Sequence, residues 1–417
     1  NKLGTSEEVF TTLSNFKRVE KVLIRPTIKN KKGVIPNAMR VWHCNPYGAR
    51  PYKGGFRFHP NVTEELLKVL SIDMTEKCAV ARVFLAGAKG GLAIDPKNFS
   101  EDELHSIVDE MTSEFFYSNV MGPDKDVFGP DVGTNSQTMK WIYTKIGKIN
   151  DGRIPNVDAV VTGKPVDDNG CPGREDATSR GGLIVLKKFL KLSQRLPEKG
   201  ATLAIQGFGN VGKNLARLAN FRDDYVDFNF KLTAVSDING GIFNSNGLDF
   251  SSISRWYKER GTFQGYKDAT EISNEQLLFL PVDILSPAAI ENQITIGNAA
   301  LINAKVVLEL ANEAVTEDAS YILKLAGIHH IPGIAANSGG VVVSFEEWAL
   351  NRGPKWHETE LYEIEASVQK KLATIMNNVI DRVFEKSQKE NLSLNDAAHI
   401  LAIEEIYEKL KQKHGYK

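Results

Sequence analysis

Cysteine is scarce: Cys44, Cys78 and Cys171 are the only thiols in 417 residues, and none stands in a CxxC pair. That excludes a disulfide framework and a cysteine-built zinc site, and no metal is expected. Long apolar runs are missing too. A membrane-spanning helix needs about 20 such residues, and the nearest approach, 78–88, is interrupted by Arg82. Neither sign of charge dominates, since 51 Lys and Arg face 52 Asp and Glu for a formal net charge of -1. The electrostatic footprint of a nucleic-acid or acidic-membrane binder is therefore absent, and neither partner is expected. There is no internal repeat and no low-complexity segment. The opening residues, NKLGTSEE, lack the apolar core of a secretory signal. A reduced, cytoplasmic protein is the expectation, with a removed organellar presequence left open.

What is present is the balance of a globular protein, 42% hydrophobic and 25% charged. At about 100–200 residues per domain, the length allows two or three domains. The first third mixes short extended runs (19–27, 38–43, 80–85) with helical patterns such as 102–120, where Leu104, Ile107, Val108, Met111 and Phe115 recur at spacings of three and four. A Gly- and Pro-punctuated stretch over 163–182 reads as a long connector. Beyond it, 202–206, 231–237, 282–286 and 306–310 are short β-rich runs, the rhythm of βαβ units building a parallel sheet. From residue 358 the pattern is helical. Leu361, Ile364, Val368, Leu372, Ile375, Val379 and Val383 form one apolar stripe, a core-packing face, and a second helix follows from about residue 393.

Two constellations carry chemistry. Gly207-Phe208-Gly209-Asn210-Val211-Gly212 is G-x-G-x-x-G between a strand-like and a helix-like segment. The first glycine permits the turn, the second lets backbone approach a pyrophosphate, and the third lets helix pack on strand, while the helix N-terminus offers N–H groups to phosphate. The next strand ends at Asp237, an acceptor for a ribose diol, 25 residues past Gly212. No Arg or Lys follows it closely to meet a 2′-phosphate, which tilts the cofactor toward NAD over NADP.

The second constellation is cationic. Lys53, Lys77 and Lys89 sit in glycine-rich or helix-edge settings, with Asp131 in GPDVGTN. Any one lysine is ordinarily a solvated surface residue. Together they suggest a pocket for a small dianion, in which two ammonium groups depress the pKa of a third and fit it for base work.

In that order, KGGFRFHP, GAKGG, PDVGTN, VTGKP, GFGNVG and ANSGGVVVSFEEW resemble the hexameric glutamate dehydrogenases, within the wider Glu/Leu/Phe/Val dehydrogenases, over nearly the whole chain. The resemblance implies an α/β protein of two domains. An N-terminal α/β domain for substrate and oligomerisation covers 1–180, with helices over 345–417 folding back on it. A Rossmann-type dinucleotide-binding domain covers 181–344. By the resemblance, Lys89 and Asp131 are the catalytic pair, and Lys77 holds the substrate α-carboxylate. Lys53 and Ser344 bind the side-chain carboxylate, and Gly129, Thr178 and Val341 line the pocket. Asn337 faces substrate and nicotinamide, and Asn312 stands by the nicotinamide ribose. L-Glutamate, 2-oxoglutarate and ammonium are the implied ligands, with NAD or NADP, in a homo-hexamer closing a cleft over the substrate at the connector.

Departures from the pattern bear on these expectations. Phe128-Gly129 stands where the family reads Pro-Ala, loosening the pocket by a methyl. Leu310 and Glu313 replace glycines of an EGAN-G segment, which would put a leucine against the dinucleotide. Two other readings follow: a weakly active paralogue serving as a ligand-sensing protein, or a dehydrogenase of altered side-chain specificity.

Overall fold

The computed structural model describes residues 7–26, 35–194, 200–223, 226–353 and 360–414. Two compact units divide the chain. The first holds Asn1–Arg174, Val343–Val368 and Ala402–Lys417, and the second holds Glu175–Val342 and Gln369–Leu401.

The first unit contains α1 (Glu7–Ser14), β1 (Arg18–Val22), β2 (Ala38–Trp42), β3 (Tyr52–Phe58), α2 (Glu64–Val80), β4 (Ala86–Leu92), α3 (Glu101–Tyr117), β5 (Asp126–Pro130) and α4 (Ser136–Ile149). The five strands pair in the order β1-β2-β4-β3-β5. β2 runs antiparallel to β1 and β4, while β3 is parallel to both β4 and β5. The helices start where side chains satisfy their first N–H groups: Thr63 accepts from Leu66 N, and Ser100 with Glu103 forms a capping box, as does Asn135 with Thr138. Ile107, Val108, Met111 and Phe115 of α3 meet Phe56 and Phe128 of the sheet and Met139, Ile142 and Ile146 of α4 in one core. Phe56 stacks on Phe128 with centroids 5.6 Å apart.

β3 and β4 are glycine-rich strands buried along their whole length. The extended run expected over 80–85 is displaced: Val80 ends α2, Arg82 turns the chain at φ 52°, and the strand begins at Ala86. A β-carbon on Gly87 would lie 2.3 Å from Thr75 Oγ1, so glycine is what allows α2 to lie against β4.

The second unit contains α5 (Ala177–Ser193), β6 (Thr202–Gln206), α6 (Asn210–Leu218), β7 (Lys231–Asp237), β8 (Gly240–Phe243), α7 (Phe250–Arg260), β9 (Thr270–Ile272), α8 (Asn274–Leu278), β10 (Ile284–Pro287), β11 (Val306–Leu308), α9 (Glu317–Leu325), β12 (His329–Ile331) and α10 (Gly333–Ala336). Its sheet runs β12-β11-β10-β6-β7-β8-β9. The first five are parallel, and β8 and β9 extend the edge antiparallel. This is the doubly wound arrangement that βαβ rhythm implies, with buried Val, Ile, Leu and Ala in its strands. α5 begins inside the stretch expected as connector, so only 163–176 is irregular or 3₁₀.

Three more helices follow: α11 (Gly339–Leu350), α12 (Leu361–Glu390) and α13 (Leu394–His414). Ile364, Val368, Leu372, Val379 and Val383 are buried as the stripe predicts, and Met376 and Ile380 join them. Leu361, at the start of α12, is instead 51% exposed. The unit boundary falls at 174/175, where 180/181 was expected, and the helical tail is shared between units instead of returning whole to the first. Among the described residues, no helix is long and apolar enough to cross a membrane. Cys44, Cys78 and Cys171 are free and buried.

Candidate active site

On a strand, residues two apart share a face. Lys53, Gly55 and Arg57 of β3 therefore form one row, and β5, paired beside β3, leads directly into Asp131. Lys89 of β4 contacts Asp131 Oδ2, and Arg57 Nε donates to Asp131 Oδ1 at 2.8 Å. Gly55 makes the space for this grouping, since a β-carbon there would lie 2.6 Å from Asp131 Oδ2. On α2, Lys77 pairs with Asp73 one turn earlier at 2.6 Å, both side chains being 4% exposed. Ser344 of α11 is buried and accepts from Arg174 Nε at 3.0 Å. A β-carbon on Gly129 would stand 2.6 Å from Lys53 Nζ.

Lys53, Lys77, Lys89, Asp131, Gly129 and Ser344 thus all belong to the first unit, and the three ammonium groups are all buried. The cause of the lowering at Lys53 and Lys89 differs from the lysine crowding expected. Burial is the leading influence lowering Lys89, and Arg57 acts ahead of Lys77, while Asp131 opposes them. Lys53 is lowered to about 7 by burial, then by Arg174 and Arg40. Burial alone would raise Asp131, but Lys89 and Arg57 together hold it far below the carboxylate range. Burial raises Asp73, against the pull of Lys77.

Arg57, Asp73 and Arg174 were not singled out in the sequence. Two had a readable signal: Arg57 shares the Lys53 face of β3, and Asp73 precedes Lys77 by one helical turn. Arg174, in an irregular segment, had none.

In the second unit, Gly207 takes φ 99° at the end of β6, and Gly209 is the N-cap of α6 with no capping side chain. Nothing lies within 4 Å of a β-carbon built on Gly209, whereas one on Gly212 would come within 1.9 Å of Gly207 O. The three glycines therefore turn, open and close-pack as their spacing implies. Phe208 is buried edge-on against Tyr257 and Phe263, with centroids 5.0 and 4.9 Å away. Asn210 donates to Glu175 O at 3.3 Å, and Val211 O accepts from Ser179 Oγ at 2.8 Å. Asp237 ends β7 with its carboxylate accepting from Asn239 N at 2.8 Å. Burial raises Tyr257, and Asp237, to which its hydroxyl is hydrogen-bonded, raises it further.

Asn337 donates to Leu310 O at 3.3 Å and to Asn312 Oδ1 at 3.4 Å, while its buried Oδ1 has no partner among the described residues. An open turn at a helix N-terminus, a terminal aspartate and an unpaired amide oxygen fit a dinucleotide. Thr178 lies in the first turn of α5, partly buried, and Val341 is buried in α11.

The expectation that Leu310 lies against the dinucleotide is corrected. Leu310 is 2% exposed, and its Cδ2 occupies the space where a β-carbon of Gly182 would stand. It packs on α5, a small residue across from a large one. Glu313 adopts φ 51°, so the turn that a glycine would make is kept with a side chain.

A doubly wound sheet with an open glycine turn, and a buried lysine–carboxylate cluster beside it in the chain, define a nicotinamide-dinucleotide-dependent dehydrogenase. Residues 18–148 match the Glu/Leu/Phe/Val dehydrogenase dimerisation domain, and residues 170–415 match Glutamate/Leucine/Phenylalanine/Valine dehydrogenase. The chain belongs to the Glu/Leu/Phe/Val dehydrogenase family. It is 39% identical to the glutamate dehydrogenase of Thermotoga maritima, over 90% of this chain and 86% of that one. It is 36% identical to the cryptic catabolic NAD-specific glutamate dehydrogenase of Bacillus subtilis, over 98% and 91%. Among solved structures, the hetero-hexameric glutamate dehydrogenase from Thermus thermophilus, in its Leu-bound form, superposes with a TM-score of 0.86 at 28% identity. That match covers 98% of this chain and 93% of the other.

Proposed function

We propose that this protein is a glutamate dehydrogenase, catalysing the reversible oxidative deamination of L-glutamate to 2-oxoglutarate and ammonia. The observation that carries the reading is the excess of buried cations in the first unit. Beyond the closed pairs Arg40–Asp126 and Lys164–Glu347, the buried Lys53, Lys77, Lys89 and Arg57, with the partly buried Arg174, outnumber the carboxylates Asp73, Asp131 and Glu346 by two, which suits a guest bearing two negative charges.

Lys77 holds the α-carboxylate, and Lys53 with Ser344 the distal one. The dinucleotide, bound at Gly207–Gly212 and Asp237, supplies the hydride acceptor for the substrate Cα. Lys89, lowered by burial, takes a proton from the water that attacks the substrate iminium. Asp131 carries protons to and from the nitrogen, and ammonia leaves. Asp237, with no adjacent cation, supports NAD over NADP, in keeping with the NAD-specific relative. Thr178 and Val341 line the substrate pocket, and Asn312 and Asn337 the nicotinamide side. A homo-hexamer is the proposed assembly, and the cytoplasm its place.

The test is a nicotinamide absorbance assay with ammonium and a panel of 2-oxo acids. Oxidation is expected with 2-oxoglutarate, and faster with NADH than with NADPH. Lys89→Met is expected to abolish turnover while 2-oxoglutarate still raises the melting temperature. Turnover retained by that variant would refute the role of Lys89.

A further inference from the structure

Asp73 and Lys77 stand one turn apart on α2, and the Lys77 ammonium meets Asp73 Oδ2 at 2.6 Å with both side chains 4% exposed. Lys77 is the group that the reading above gives to the substrate α-carboxylate. The chain already presents that ammonium with a carboxylate of its own, so a substrate must compete for it.

Burial raises Asp73, Lys77 and Lys89 pull it down, and Glu76 adds to the rise; burial prevails. Gly87 brings Lys89 into range. A β-carbon there would stand 2.4 Å from Thr75 N and 2.5 Å from Ser71 O, so α2 lies flat on β4, the strand that carries Lys89. The other charged groups on the strands packed against α2 are directed elsewhere. Arg40 of β2 turns to Asp126, and Arg57 of β3 to Asp131. Lys53 of β3 stands beside Gly129, and His43, just past β2, bonds Thr75 Oγ1 and Leu13 O. Lys77 is thus the counter-charge on which the ionised form of Asp73 depends most.

An incoming carboxylate upsets that balance twice. It draws on Lys77, and it sets a second negative charge beside the first, while the burial stays. When two carboxylates share one site, the proton affinity of one of them rises. Asp73, already raised by burial, is the one that yields. Once protonated it becomes a donor, and a carboxylate oxygen is an acceptor. Lys53 and Lys89 are both lowered by burial, so at neutral pH the cationic excess of the site is smaller than the number of its residues. A proton on Asp73 makes up part of the difference.

We propose that Asp73 is an internal competitor for Lys77: it holds the ammonium in the ligand-free enzyme, gives it up to the substrate α-carboxylate, and takes a proton from solvent as it does so. This rests on the glutamate dehydrogenase reading and adds a proton-linked control of substrate affinity to it.

The test is titration calorimetry of 2-oxoglutarate into the full-length enzyme, saturated with NADH and without ammonium, so that no turnover occurs. Unaltered enzyme is compared with Asp73→Asn and Asp73→Glu between pH 6 and 7.5, in buffers of different ionisation enthalpy. Proton uptake at Lys53 is common to all three, so the differences among them isolate position 73. Unaltered enzyme and Asp73→Glu are expected to take up more protons per ligand than Asp73→Asn, by up to about one. By the same linkage, their affinity should fall with rising pH more steeply than that of Asp73→Asn, by up to about tenfold per pH unit. At pH 7.5 Asp73→Asn is expected to bind 2-oxoglutarate roughly tenfold more tightly than the unaltered enzyme, its Lys77 being freed of a rival charge. 2-Oxopentanoate, which has the α-carboxylate and no distal one, is expected to show the same contrast as an inhibitor of turnover.

Ligand-free Asp73→Asn is expected to melt below the unaltered enzyme, since Lys77 loses its counter-charge, and to gain more in melting temperature from 2-oxoglutarate. A larger gain in the unaltered enzyme would overturn the proposal. So would equal proton uptake with parallel pH profiles, or weaker binding by Asp73→Asn at pH 7.5, either of which would leave the pair purely structural. An unaltered enzyme that neither binds nor turns over 2-oxoglutarate would remove the underlying reading and this proposal with it. An active enzyme whose affinity and proton uptake ignore Asp73→Asn would remove this proposal alone.

Discussion

Arg57 Nε donates to Asp131 Oδ1 at 2.8 Å, on the carboxylate oxygen that Lys89 does not touch. Asp131 is thus gripped from two sides, and Arg57 repels a proton from Lys89 while stabilising the charge on the carboxylate. Replacing Arg57 by Met removes one positive charge from both neighbours, so both Lys89 and Asp131 should rise. If the reaction needs neutral Lys89, the rise of kcat/KM with pH should move to higher pH by about one unit or more. A pH–rate profile checks this. A profile that keeps its position while the rate falls would leave Arg57 a purely structural role.

Lys53 gives a second pH signature. Its pKa stands at about 7 in the folded protein, against an ordinary 10.5, with burial the main cause. Between those values the unfolded chain holds a proton that the folded chain has released. Stability should therefore rise with pH across that window and level off above it, the full penalty being present below about 7. Urea unfolding at pH 7, 8 and 9 should show this slope, and Lys53→Met should flatten it. A dicarboxylate that stabilises the ammonium should bind with proton uptake near pH 8, which calorimetry in buffers of different ionisation enthalpy would detect.

Lys164 and Glu347 form a pair with both side chains wholly buried, 3.0 Å apart. Lys164 Nζ also donates to Asp158 O and Val161 O, and Glu347 accepts from Gly163 N. Nothing in this network is idle, and it ties α11, which carries Ser344, to the VTGKP segment. Lys164→Met should lower stability by about 3–5 kcal/mol by stranding a buried carboxylate. Adding Glu347→Leu should recover part of that loss. Denaturation midpoints of the two variants decide it: a double variant no more stable than Lys164→Met would show that the loss does not come from a stranded carboxylate.

The glycine turn, the strand before it and Asp237 were legible because their chemistry depends on local spacing. β3 and β4 were not. Lys-Gly-Gly segments have little strand preference of their own, and what extends them is tertiary: α2 presses on Gly87, and Gly54 abuts the Ala88 carbonyl. The lysines stood out as a set, yet the source of their perturbation did not, because desolvation is a property of the packed interior. Leu310 shows the same limit. Its pairing with Gly182 lies 128 positions away in sequence, and no local rule connects the two.

The three sulfhydryls have a practical bearing on experiments in solution. All are interior, and burial pushes Cys44 and Cys78 up to about 12 and Cys171 higher still. Thiolate is the reactive form, so at neutral pH the native side chains should stay silent toward maleimides and iodoacetamides. A fluorophore attached through one newly introduced surface cysteine would then report from that position alone, with no need to strip the natural ones first.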